Sequence, residues 1–80
     1  MTREEAIKFH DDKRWERMTR EERARFQMHE PKLCMPWSVF HAAAEAYVGH
    51  GIFTHEFAFN EHLKKEIPPL PQEEIEKWMK

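Results

Sequence analysis

The stretch MTREEAIKF at residues 1–9 returns as MTREERARF at residues 18–26, and the reading of these two nonapeptides decides the fold. Each copy places a Thr three residues before a Glu, Thr2 with Glu5 and Thr19 with Glu22. That is the spacing of a capping box, in which the Thr oxygen accepts an orphan backbone N–H and the Glu reaches back to the cap residue. The acids just inside each start also suit the positive end of a helix dipole. The frame therefore predicts two helix starts, one helix running from Arg3 to Arg17 and a second from Arg20 to about His29. A 17-residue spacing is shorter than the units of about 20–50 residues that build repeat arrays, so the repetition marks two helices with one way of starting them.

Punctuation outward from this pair continues the pattern. Pro31 disfavours helical geometry before it and ends the second helix. Pro36 suits the first turn of a third, running to Val48, with Phe40, Ala43, Ala44 and Tyr47 as its apolar stripe. Gly49 or Gly51 supplies a left-handed residue at its end. Thr54 is placed to cap a fourth helix reaching about Glu66, with Phe53 stapled onto Ala58, and Pro68-Pro69 stops it. Residues 72–79 form a last short helix presenting Ile75, Trp78 and Met79 on one face. No strand-like alternation occurs. The expected fold is all-α, a single domain over residues 1–80 built as a small bundle of about five short helices. It comprises charged N-terminal helices (1–30), a central helical hairpin (33–66) and a short C-terminal helix (71–80).

Eighty residues hold one core. Leu, Ile, Val and Phe number only 15, but 13 Lys/Arg nearly balance 15 Asp/Glu, and six Phe, three Trp and five Met add bulk. A folded chain with an aromatic, Met-rich core follows rather than a disordered one. A net charge of −2 gives no general attraction to nucleic acid or anionic membrane. One cysteine cannot staple the fold, and no signal peptide, lipidation motif or long apolar run is visible. These features predict a soluble cytoplasmic protein.

Residues 33–63 contain no Lys or Arg, whereas residues 1–32 carry nine and residues 64–80 carry four. Such a segment is either the buried hairpin of the fold or a face that docks another protein, since interface cores are poor in charge and rich in aromatics and Met. Within it, LCMPWSVFHAAAEAYVGHGIFTHEF resembles short uncharacterised proteins of bacteria and their phages. These carry a helix, a glycine, one or two residues, an apolar or aromatic pair and Thr-His-Glu or Thr-His-Gln. Gly51, Phe53, Thr54, His55 and Glu56 carry the resemblance, which implies a small accessory or regulatory protein of a mobile element.

Chemistry-bearing residues are few. His41, His50, His55, His62 and Cys34 are the metal-ligand candidates, yet they lack the paired short spacings of structural zinc sites and the H-E-x-x-H pattern. Cys34 with His41 and Glu45 is the one conceivable nucleophile set, but a lone Cys between Leu33 and Met35 reads as apolar filler. A helix-turn-helix reading fails because the fourth helix is acidic where base and phosphate contacts need Arg or Lys. Pro68–Pro71 reads as a stiff linker. No catalytic residue and no cofactor is implied. With Phe59 as the centre of the fourth helix's inner stripe, Phe57 falls almost opposite, and the first two helices carry apolar residues on more than one side. The sequence thus points to a non-enzymatic protein-binding module, a homodimer or a target-bound adaptor, inhibitor or regulator. Trp15, Trp37, Phe53 and Phe57 are its contact residues, and His55 fixes the turn. The alternative is a metal- or nucleic-acid-binding regulator using the His cluster or the Arg-rich second helix.

Overall fold

Both capping boxes form. Thr2 Oγ1 accepts from Glu5 N at 3.1 Å while Thr2 N donates to Glu5 Oε1 at 2.8 Å, and Thr19 and Glu22 repeat the exchange at 3.1 and 2.9 Å. The computed structural model describes residues 1–58 and 61–79. Its elements are α1 (Arg3–Asp11), a 3₁₀ helix (Arg14–Arg17), α2 (Arg20–Met28), α3 (Trp37–Val48), α4 (Thr54–Ala58), α5 (Glu61–Glu66) and α6 (Gln72–Met79). No strand occurs among the described residues, and the chain is a small all-α bundle.

The expected first helix is shorter than its sequence suggests. It ends at Asp11, and Lys13 takes a left-handed conformation at φ 54° before the chain resumes as the 3₁₀ helix. The break lets the chain fold back, with Trp15 donating its indole N–H to the His10 carbonyl at 3.2 Å. Arg23 of α2 secures the bend from outside, donating to the carbonyls of Trp15 (2.7 Å) and Glu16 (3.1 Å). These bonds offset the cost of about 1–2 kcal/mol for a left-handed residue with a side chain.

The duplicated frame also delivers matching side chains. Phe9 and Phe26 stack with ring centroids 5.2 Å apart and 15° between planes, joining α1 to α2. Phe26 and Met28, on different sides of α2, are both buried, so the second apolar neighbour that α2 demands is supplied within the chain. The most extensive helix pairing is α2 against α3. Within residues 33–66, Phe57 of α4 lies 5.2 Å from Phe40 of α3.

The core is aromatic and Met-rich: Phe9, Phe26, Phe40, Met18, Met28 and Met35 are buried with Ala24, Ala43, Ala44, Leu63 and Ile67. Gly49 is the left-handed terminator of α3 at φ 82°. Pro71 sits just before α6, its carbonyl accepting from Glu74 and Ile75. α6 lays Ile75, Trp78 and Met79 on the core and is tied by Arg14 donating to the Trp78 carbonyl at 2.9 Å. α4 and α5 both lie within the range expected for one helix. Phe59, expected at the centre of its inner stripe, and the Ala58 side chain, expected under Phe53, lie outside what is described.

Candidate functional site

A groove of about 380 Å³ opens between the end of α2, the loop after it, the start of α3, α4 and α5. Its position follows from local sequence. Pro31 and Pro36 keep the intervening residues out of either helix, and Gln27 straps the loop down. Gln27 is buried, its Nε2 donating to the carbonyls of Glu30 (3.1 Å) and Lys32 (2.9 Å) and its Oε1 accepting from Cys34 N (2.9 Å) and Cys34 Sγ (3.1 Å). With Cys34 and Met35 fixed inward, the flanking Leu33 and Trp37 face out, 50% and 38% exposed. Behind them Trp37, Phe40 and Phe57 pack on one another, with Trp37–Phe57 edge-on at 5.1 Å and Trp37–Phe40 edge-on at 5.5 Å. Glu30 and Lys64 add charge to the lining.

Of the interface candidates, the groove gathers Trp37 and Phe57. Phe57 is half-buried against Trp37, Phe40 and His41, so it walls the groove rather than standing on an uncovered far face. Trp15 does not line the groove; it packs on the core and holds the α1 bend. Phe53 is 70% exposed and stacks on His55 at 5.7 Å. The turn before α4 is fixed by His41 and Glu45, not by His55. His41 Nε2 lies 2.6 Å from the Ile52 carbonyl and Glu45 Oε2 accepts from Ile52 N at 2.8 Å, holding the backbone next to Phe53 from both sides. Helical periodicity passes over Leu33 but sets Lys64 on the same face as Phe57. Leu33 belongs to no stripe, and its only mark is an aliphatic side chain between two prolines. Lys64 is marked as the first cation after the cation-free run.

The metal-ligand candidates are spread out. His41 serves the turn, His50 lies against the Gly51 carbonyl (2.9 Å), His55 stacks on Phe53, and His62 pairs with Glu66 (3.0 Å). Among the described residues no three His, Cys, Asp or Glu are grouped to hold a metal. Cys34 faces Gln27 rather than any His, and burial, reinforced by the Glu30 charge, pushes its thiol up to about 12, so it is a thiol at neutral pH. Arg14, Arg23 and Arg25 are engaged with backbone carbonyls of their own chain. Among the described residues no helix is long and apolar enough to cross a membrane.

No curated protein and no solved structure matches the chain. One family does, through a pattern that spans residues 20–73 and so takes in α2 to α5, the strapped loop and every residue lining the groove. On that match the chain belongs to the family of a domain of unknown function, DUF7736.

Proposed function

We propose that this chain is a protein-binding module that acts by occupancy, an adaptor, inhibitor or regulator whose contact site is the groove beneath Leu33 and Trp37. One observation carries this: two large apolar side chains, Leu33 on the strapped-down loop and Trp37 at the start of α3, stand exposed over a groove lined by Phe40 and Phe57. Hot spots concentrate in aromatic side chains that can be desolvated in such a pocket. The loop is held before any partner arrives, which lowers the ordering cost of binding.

The test is affinity capture from the native host with wild type, Leu33→Asp and Trp37→Ala as parallel baits. Proteins enriched by wild type and lost from both variants are the expected result. No enriched protein, or an enriched set that both variants retain, places the function elsewhere.

A further inference from the structure

We infer that α6 is a hinged latch. It swings away as a unit beyond Pro71 while α2, α3 and the linker before it stay folded, freeing the face of Ile75, Trp78 and Met79 and uncovering Phe9 and Arg14.

The hinge lies where the chain stops being held. Ile67 and Leu70 are buried, and His29 Nε2 lies against the Ile67 carbonyl. Arg25 of α2 donates to the carbonyls of Pro68 (3.1 Å) and Pro69 (2.9 Å). Pro71 locks its own φ and restricts the backbone of Leu70. The linker is therefore fixed to α2 as far as Pro71, and rotation starts at the exposed Gln72.

Beyond the hinge the hold is slight. α1, α2 and α3 bury two, four and three residues, whereas α6 buries none. Ile75, Trp78 and Met79 pack on the core only half-buried. Arg14 Nη1 donates to the Trp78 carbonyl at 2.9 Å, and the Trp78 indole N–H donates to Glu22 Oε2 at 3.3 Å. Elements with few buried apolar contacts open locally, at a lower free energy than the core. Eight residues are also fewer than the roughly 12–15 at which an isolated helix becomes marginal in water. α6 is thus helical only while docked, so docking and helix formation are one event.

Opening has a defined consequence. A cavity of about 170 Å³ is lined by Met79 together with Glu5, Lys8, Phe9 and Arg14, and the Arg14 guanidinium lies 6.0 Å from the Phe9 ring centre. Release of α6 removes the Met79 wall and the acceptor of Arg14, turning the cavity into a surface with Phe9 in it. The start of α2 survives this, because its capping box uses Glu22 Oε1 and the latch uses Oε2.

Native-state hydrogen exchange on the full 80-residue chain tests the latch, read in low urea at the amides of Lys77, Trp78 and Met79 against those of α3. The α6 amides are expected to be about tenfold or more less protected and nearly indifferent to urea, because a local opening exposes little surface. Trp78→Phe keeps a ring and removes the N–H. It should speed α6 exchange about fivefold, the worth of one hydrogen bond, and Arg14→Met should do so independently. Phe40→Leu, in the core on α3, should speed α3 exchange about tenfold and leave α6 unmoved, since it acts on global unfolding alone. Equal protection and equal urea dependence in α6 and α3, or α6 exchange that follows Phe40→Leu, would overturn the latch by making α6 part of one cooperative core. Unprotected α6 amides would overturn it from the other side, since the helix would not be docked. Exchange unmoved by both Trp78→Phe and Arg14→Met would mean end fraying rather than a swing, and would overturn it too.

Discussion

Two residues show how a single side chain sets the shape of this molecule. Gln27 is the buried knot between α2 and the loop that carries Leu33. Replacing it with Met keeps the volume but strands the Cys34 N–H and two carbonyls, and leaving buried groups unpaired costs about 1–3 kcal/mol. Gln27→Met should therefore lower stability by about 2 kcal/mol in denaturant unfolding; an unchanged midpoint would mean that the loop is held by other contacts. Lys13 works in the opposite sense. Its left-handed backbone is strained for any residue with a Cβ, and glycine relieves that strain while losing some chain entropy on folding. Lys13→Gly is expected to raise stability by about 0.5 kcal/mol, seen as a melting temperature a few degrees higher.

At the scale of the element, the two capping boxes do the same work in helices of equal length, α1 and α2. Thr19→Ala removes the side-chain acceptor of α2 and should cost about 1 kcal/mol. In α1 the hydrogen bond from the Thr2 backbone, then that from its side chain, holds the Glu5 carboxyl below its ordinary value of 4.5. A depressed carboxylate stabilises the fold above its unfolded value, and that contribution fades as pH falls from about 4.5 through the lowered folded value. Carboxyl NMR titration should place Glu5 below its ordinary value of 4.5, and Thr2→Ala, which removes the side-chain bond but keeps the backbone N–H, should raise it only part of the way back. A wild-type Glu5 that titrates at its ordinary value of 4.5 would show that the box does not persist in solution. Helix starts of this kind are local, so the sequence carries them in full. The end of α1 is not local. Nothing in HDDKRWER breaks a helix by composition, and only Arg23, Trp15 and the return to Met18 bend it.

For the whole molecule, core and groove should be separable. Phe40 is buried and floors the groove, while Leu33 stands half-exposed at its edge. Phe40→Asp would bury an unpaired charge and should abolish the cooperative melt, whereas Leu33→Asp keeps its charge in water and should shift stability by less than about 0.5 kcal/mol. Similar losses from both would make the groove part of the core rather than a surface. The all-helical class, the two capping boxes, a glycine stop after α3 and the apolar stripe of α3 were determined by the sequence itself. Each depends on residues within about one or two turns of one another, where propensity, capping and periodicity act. The stack of Phe9 on Phe26, the pairing of α2 with α3, the turn held by His41 and Glu45, and the groove under Leu33 and Trp37 were decided only by the tertiary structure. They join residues by distance in space, and no spacing along the chain records which ring meets which.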